Sequence, residues 1–450
     1  MIKNRKKKEE VIQKNPAKLF FYAYVITILT GGTLLSLPIS SQSGEFTHFM
    51  DAIFTATSAV CVTGLTPVIT AAHWNAFGKV VIIVLIQLGG LGIVTAAGAI
   101  GLLINKRFSV QERMYLAEEK NANSLQGMVK LLKYVIIATF SIEGVGALLL
   151  SFRFIPQFGL GRGIAYSIFH AISAFCNAGF DIIGDVSLIP YQSDVFVTLV
   201  ISSLIILSGL GFIVYNDVLK AKRFKKFRLH TKIVLVSTAT LLIVPTILFL
   251  IIEWTNPATI GNLTLTGKVT SSFFQSVTTR TAGFFSIDQA SLRSGSLLLT
   301  IALMFVGGAP AGTAGGLKVT TMVTLILAMV ANISKNRDIT AFKRRIPQEI
   351  AQKALTIFFI SIFWVFITLL ILSITENGLG ITDLLYEIIS AYGTVGLTTG
   401  ITSKLTDFGK LAISFSMLFG KLGPITMVYA FARRTHNKAY REAEERILVG

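Results

Sequence analysis

Charge is what this sequence has least of. Only 14% of its 450 residues are Asp, Glu, Lys or Arg, against 52% hydrophobic, and the mean hydropathy is +0.68. Soluble domains carry about 25% charged residues, so an ordinary soluble fold is excluded. Cysteine is nearly missing as well. Cys61 and Cys176 are too few for a disulfide framework; each stands three residues before a glycine and reads as a small buried packing residue. The five histidines, at 48, 73, 170, 230 and 436, are scattered and form no metal-site motif such as H-E-x-x-H. Acids inside the apolar runs are almost absent. A membrane-embedded enzyme would need a metal cluster, an acidic pair or a nucleophile–base set, so an enzyme is not expected. No G-x-x-x-x-G-K-[ST] occurs, and the Gly-rich stretches 89–92 and 307–316 do not match a phosphate loop, so nothing here binds a nucleotide.

What is abundant is apolar length. Runs able to cross a ~30 Å hydrocarbon layer lie near 19–37, 78–104, 134–151, 195–219, 231–253, 295–331, 354–374 and 409–431. Of the 41 Lys and Arg, 31 fall in 1–18, 105–133, 220–232, 335–353 and 433–450, which are the two ends and the linkers after every second run. Basic flanks stay cytoplasmic, so both termini are expected inside. The net charge of +18 then reflects topology. No soluble face gathers the basic residues as nucleic-acid binding requires. The first run is too long for a signal-peptide core and no A-x-A-like site closes it, so it reads as an uncleaved span.

Four short segments between these runs read alike: Ser58-Ala-Val-Cys-Val-Thr-Gly64, Ser173-Ala-Phe-Cys-Asn-Ala-Gly179, Val277-Thr-Thr-Arg-Thr-Ala-Gly283 and Ser390-Ala-Tyr-Gly-Thr-Val-Gly396. Their glycines lie 115, 104 and 113 residues apart. Each follows a stretch too short and polar to span, at about 48–61, 164–178, 268–281 and 382–394, with Asp51, Asp383 and Glu387 in or near early turns, where a carboxylate suits the helix dipole. The predicted unit is span, re-entrant half-helix, glycine segment, span. Non-helical backbone at membrane depth survives only where protein or a water-filled cavity covers it. Four such segments around one axis satisfy that rule together. The expected fold is therefore an all-α membrane protein with eight transmembrane helices and four re-entrant pore helices about a pseudo-fourfold pore. Its divisions are a cytoplasmic N-terminus (1–18), repeats at 19–104, 127–219, 229–331 and 350–431, and a cytoplasmic tail (432–450).

A second correspondence sits in the later span of each unit: Leu88-Gly-Gly90-Leu-Gly92, Leu207-Ser-Gly209-Leu-Gly211, Val306-Gly-Gly308-Ala-Pro310 and Phe419-Gly-Lys421-Leu-Gly423. The central residue is glycine in three units and Lys421 in the fourth. The third unit departs further, because its span, 295–331, is far longer than a crossing needs. It is interrupted by Gly307, Gly308, Ala309, Pro310, Ala311, Gly312, Thr313, Ala314, Gly315 and Gly316, which hold a regular helix poorly. This stretch reads as an unwound intramembrane gating loop beneath the glycine segments, with Lys318 snorkelling or tethering it.

Rings of backbone carbonyls replace the water shell of a potassium ion. Thr394-Val395-Gly396 matches the Thr-Val-Gly of potassium-channel filters. The others are Val62-Thr63-Gly64, Asn177-Ala178-Gly179 and Thr281-Ala282-Gly283, and none continues to Tyr-Gly. One well-formed ring at the glycine level is expected. Asp181 reads either as a negative mouth concentrating cations or as a solvated loop acid. Arg280 is expected behind the filter, braced by a carboxylate, and Glu143 in a structural ion pair. Lys421 is expected to act as an electrostatic barrier in the gate. A sodium-coupled alternating-access potassium symporter is the alternative mechanism, although such folds use inverted repeats and these four enter from one side.

With these segments in view, together with His170-Ala-Ile-Ser-Ala-Phe175, Asn177-Ala-Gly-Phe180, Arg280-Thr-Ala-Gly-Phe284 and Thr394-Val-Gly-Leu397, the chain resembles the Trk/Ktr/HKT superfamily of potassium transporters. Within it the chain is most similar to the Ktr membrane subunit (KtrB/KtrD type). The resemblance implies that Gly64, Gly179, Gly283 and Gly396 line a potassium path and that 307–316 gates it. It implies a plasma-membrane homodimer on a cytosolic nucleotide-binding regulatory ring (KtrA/KtrC type), with sodium as an activator or co-ion. The family often has arginine where Lys421 stands; lysine keeps the charge without the planar fork.

Overall fold

A computed structural model describes residues 16–119, 125–431 and 445. The basic segment before residue 16 and, Glu445 apart, the tail from 432 lie outside the described residues.

Each quarter of the chain repeats one plan: a long straight helix, a short helix, and a second long segment that breaks. The first holds α1 (Pro16–Ser36), α2 (Phe49–Cys61), α3 (Ala76–Leu91) and α4 (Ile93–Leu103), and a linker helix α5 (Val110–Glu119) follows. The second holds α6 (Met128–Phe158), α7 (Leu160–Cys176), α8 (Val195–Leu210) and α9 (Phe212–Ala221). The third holds α10 (Leu229–Glu253), α11 (Leu265–Thr278), α12 (Ser294–Phe305) and α13 (Val319–Ile333). A two-stranded hairpin, β1 (Ile339–Ala341) antiparallel to β2 (Arg344–Ile346), leads to the fourth: α14 (Gln348–Thr375), α15 (Ile381–Gly393), α16 (Asp407–Leu422) and α17 (Pro424–Phe431). The four opening helices have 21, 31, 25 and 28 residues, enough at 1.5 Å per residue to cross the hydrocarbon layer. Only 17–33% of the most apolar stretch of each is buried inside the protein, as in spans that face lipid.

The arrangement closes on itself. The second long helix of each quarter packs against the short helix of the next: α3 on α7, α8 on α11, α12 on α15 and α16 on α2. The short helices are the buried ones. From Ala52 to Cys61, for example, every residue but Ile53 is buried, so α2 is surrounded by protein despite its threonines and serine.

The second long segments differ from the sequence expectation. Composition singled out the third as broken, yet all four break. α3 and α4 meet at 97°, α8 and α9 at 90°, and α16 and α17 at 105°. The hinges are Gly92, Gly211 and Gly423, with φ of +90°, +83° and +84°, a conformation that glycine adopts without penalty. In the third quarter residues 306–318 take the place of a hinge as an irregular loop.

Candidate functional site

The four short helices end in the same way. Val62, Asn177 and Thr394 close α2, α7 and α15 in the left-handed region, with φ of 58°, 60° and 51°. Thr281 does so after α11, with φ of 71°. Two residues on, each glycine again has positive φ: Gly64 103°, Gly179 69°, Gly283 80° and Gly396 92°.

These glycines meet in cyclic order. A methyl placed on Gly64 would lie 2.6 Å from the Ala178 carbonyl oxygen, and one on Gly179 2.8 Å from that of Ala282. On Gly283 it would lie 2.7 Å from the Val395 oxygen, and on Gly396 2.1 Å from that of Thr63. The carbonyl preceding the glycine in each quarter thus faces the glycine of the quarter before, and the fourth closes onto the first. No side chain fits at this level, so the ring presents backbone alone. Oxygens of this kind suit a cation and offer an anion nothing.

Side-chain hydroxyls that the sequence reading assigned no role hold the ring backbone. Ser58 Oγ accepts from Gly64 N at 2.9 Å, and Ser390 Oγ from Gly396 N at 3.0 Å. Ser173 Oγ donates to the Phe180 carbonyl at 2.7 Å, and Thr278 Oγ1 to that of Phe284. The first and fourth segments are braced at the amide of the glycine, the second and third at the carbonyl after it. The recurrent serine opening three of the four sequence segments was the available signal; the third uses a threonine displaced by one position.

The loop after α12 crosses directly below. A methyl on Gly315 would meet the Thr394 side chain at 2.2 Å, and one on Gly316 the Gly393 backbone at 3.0 Å. Ala309 N donates to the Gly209 carbonyl at 2.9 Å, and Phe212 N to that of Ala311 at 3.3 Å. On the other side Gly316 N donates to the Gly420 carbonyl at 3.3 Å. Lys421 Nζ donates to the Thr313 carbonyl at 3.0 Å, and Lys318 Nζ to that of Ala314. Residues 307–316 are therefore pinned between the hinge regions of the second and fourth quarters. Lys421, set apart in the sequence, is one of the pins.

Comparison with known proteins bears on this architecture. The family profile described as "TrkH: Cation transport protein" matches residues 6–441. The chain belongs to that family. It is 44% identical to the "Potassium/sodium uptake protein NtpJ" of Enterococcus hirae, over 97% of each chain. It is 40% identical to the "Ktr system potassium uptake protein B" of Bacillus subtilis, over 98% of each. The crystal structure of the potassium transporter TrkH from Vibrio parahaemolyticus superposes with a TM-score of 0.71 at 17% identity, covering 91% of this chain and 83% of that one. The relatives of this TrkH-family chain are transporters, not enzymes, and the match in fold extends nearly end to end.

Two expectations about buried charge need correction. Arg280 is buried behind the ring, as anticipated, but no carboxylate lies within 4 Å of it among the described residues. Its Nη2 donates to Thr238 Oγ1 on α10 at 3.4 Å. Among the described residues no cation lies within 4 Å of Glu143 on α6 either. It accepts from Gln87 Nε2 at 3.2 and 3.3 Å and from Cys176 Sγ at 3.8 Å. A neutral amide and a thiol satisfy it without desolvating a second charge. Cys61 and Cys176 are free and buried. Asp181 is half-buried, and its Oδ1 has no hydrogen-bond partner. Asp51 pairs with Lys410 at 2.7 Å, tying α2 to α16. Buried Glu387 accepts from Thr398 and Thr402 at 2.7 and 2.5 Å, fixing the loop after the fourth glycine. Among the described residues no cluster of three metal-ligating side chains occurs.

Proposed function

We propose that this chain is the pore subunit of a Ktr-type system and carries potassium selectively into the cell through the glycine ring. The observation carrying this reading is the cyclic apposition of four carbonyl–glycine pairs, Thr63–Gly64, Ala178–Gly179, Ala282–Gly283 and Val395–Gly396. Val62, Asn177, Thr281 and Thr394 extend each filter segment one residue further. The loop 307–316 with Lys421 acts as the gate, since it underlies the ring and is held by hydrogen bonds from two other quarters. Two relatives are named for potassium uptake, one of them for potassium and sodium. Potassium is accordingly the transported ion, with sodium an activator or co-ion.

The relatives named as parts of a Ktr system support a partner subunit. We place the protein in the plasma membrane as a homodimer on a cytosolic nucleotide-binding ring, with both termini cytoplasmic as the basic linkers favour. The functional divisions are the repeats 19–104, 127–219, 229–331 and 350–431. The test is rubidium or potassium uptake in a transport-deficient host, comparing wild type with Gly396→Ser. A Cβ there would sit 2.1 Å from the Thr63 oxygen, so uptake and discrimination against sodium should both fall. If both are unchanged, the filter assignment is wrong.

A further inference from the structure

A cavity of about 970 Å³ opens beside the gate loop, lined by helices of the second, third and fourth quarters but by none of the first. Six cations line it: Lys130, Lys220, Arg228, Lys318, Arg345 and Lys353. No acidic residue does. Arg228 and Arg345 have carboxylates nearby, Asp217 at 4.0 Å and Asp338 at 2.8 Å. None of the four lysines has a carboxylate within 4 Å among the described residues.

The backbone adds to this charge. Four helices begin at the cavity wall: α6 at Met128, α10 at Leu229, α13 at Val319 and α14 at Gln348, with residues of each first turn or its cap in the lining. None of the four has a side-chain cap. By contrast α3, α8 and α16 are capped by Asn75, Asp194 and Thr406. The positive ends of four helix dipoles therefore converge on a space already crowded with ammonium groups. Part of these first turns is already satisfied: Val319 N donates to the Gly308 carbonyl, Thr321 N to that of Lys318, Ile350 N to that of Pro347 and Arg228 N to Asp217 Oδ2. His230 Nε2, buried and without a hydrogen-bond partner, belongs to the same wall. Leu131, Ile213, Ile233 and Ile357 make the remainder apolar.

So concentrated a positive field needs an anion, and the apolar wall suits one with hydrocarbon attached. We propose that this cavity binds a phosphate-bearing anion, supplied by the headgroup of an anionic phospholipid. Oxygens of the phosphate take the lysines and the first-turn N–H groups that have no backbone acceptor, as anions do at helix N-termini, and the acyl chains lie along the isoleucines. Basic pockets between membrane helices recognise lipid headgroups in this manner. Because Pro310 of the gate loop and Lys318, whose Nζ donates to the Ala314 carbonyl of that loop, also line the space, an occupant touches the loop directly.

The test is native mass spectrometry of the full-length protein from nanodiscs of phosphatidylglycerol or of phosphatidylcholine. Wild type is compared with Lys220→Gln/Lys353→Gln and with Lys220→Arg/Lys353→Arg, all checked for monodispersity. A parallel arm titrates inorganic pyrophosphate into phosphatidylcholine nanodiscs by calorimetry. We expect roughly tenfold or greater retention of phosphatidylglycerol over phosphatidylcholine by wild type and by the arginine variant, with near parity for the glutamine variant. Binding in the lipid arm alone assigns the headgroup as the source. Pyrophosphate binding that the glutamine variant loses assigns a soluble phosphate instead. Equal retention of the two lipids by wild type without pyrophosphate binding overturns the site, and so does a glutamine variant indistinguishable from wild type.

Discussion

Replacing Lys421 by alanine should increase ion flux. Two effects of the same sign combine. The lysine donates a charge-assisted hydrogen bond to the Thr313 carbonyl at 3.0 Å, and such bonds contribute about 1.5–3 kcal/mol. If that bond holds only the obstructing position of the loop, its loss raises the open-to-closed ratio roughly tenfold or more. On the proposed ion path the ammonium would also oppose a passing cation. At a separation of about 6 Å and an effective dielectric of ~20 the repulsion is roughly 3 kcal/mol, or about two decades in rate. The assay is initial rubidium uptake at matched expression in a host lacking its own potassium transport. Lys421→Ala should exceed wild type by tenfold or more. Lys421→Gln removes the charge but keeps a donor and should fall between, whereas Lys421→Arg keeps both and should stay near wild type. An alanine variant with unchanged uptake and unchanged sodium discrimination would refute the reasoning, because neither tether nor barrier would then reside in this side chain.

Further substitutions probe the parts of the scaffold separately. Ser390→Ala removes the acceptor for Gly396 N and should loosen one quarter of the ring by about 1 kcal/mol; potassium-over-sodium selectivity falls several-fold in competitive uptake, while Ser390→Thr retains it. Gly211→Ala places a Cβ 2.5 Å from the Pro310 carbonyl at a φ of +83°, a strain of about 1–3 kcal/mol, so the melting temperature should drop and the loop 307–316 become more accessible to protease. Glu119→Gln tests the linker: this carboxylate accepts from Val94 N and Thr95 N at 2.8 and 2.9 Å, capping the helix that follows the Gly92 hinge. Loss of its charge should cost about 1 kcal/mol and lower thermal stability with the ring intact, measurable as a lower melting temperature without altered ion selectivity.

The ring was legible because four segments carry one chemical demand each, and that demand falls on glycine. A positive φ next to a neighbour's carbonyl leaves no other residue comfortable, so the requirement is written at fixed positions in the chain. The hinges were written there too, yet only the third span was read as broken. The quoted stretches all end on their breaking residue, Gly92, Gly211 and Gly423, while the third has Pro310 at the same place. Centring on Gly90, Gly209, Gly308 and Lys421 drew attention to residues with unlike surroundings instead: Cys176 beside Gly90, open space at Gly209, Ala314 and Gly209 beside Gly308, and the Thr313 carbonyl at Lys421. A methyl on Gly90 would strike Cys176 Sγ at 2.4 Å, which makes close packing the demand there. The partners of Arg280 and Glu143 were not legible, since Thr238 and Gln87 lie 42 and 56 residues away and no local pattern announces them.

The departures from fourfold symmetry share one physical logic. Three quarters turn the chain below the ring with a single glycine, which costs one positive φ and leaves the helices on both sides intact. The third instead spends the irregular stretch 306–318 on the same turn. A stretch of that length satisfies only part of its own backbone, as where Gly307 N donates to the Leu317 carbonyl and Gly312 N to that of Ala309, and its other buried N–H and C=O groups must find partners elsewhere. Two of those partners are carbonyls at the other hinges: Gly209 accepts from Ala309 N, and Gly420 from Gly316 N. A broken helix exposes acceptors, and the loop consumes them. The hinges in the second and fourth quarters and the loop of the third are thus one hydrogen-bonded unit. Displacing the loop without supplying substitute donors would leave buried carbonyls unpaired at about 1–3 kcal/mol each. Any displacement of this loop must therefore either admit water to Gly209 and Gly420 or carry their helices along with it.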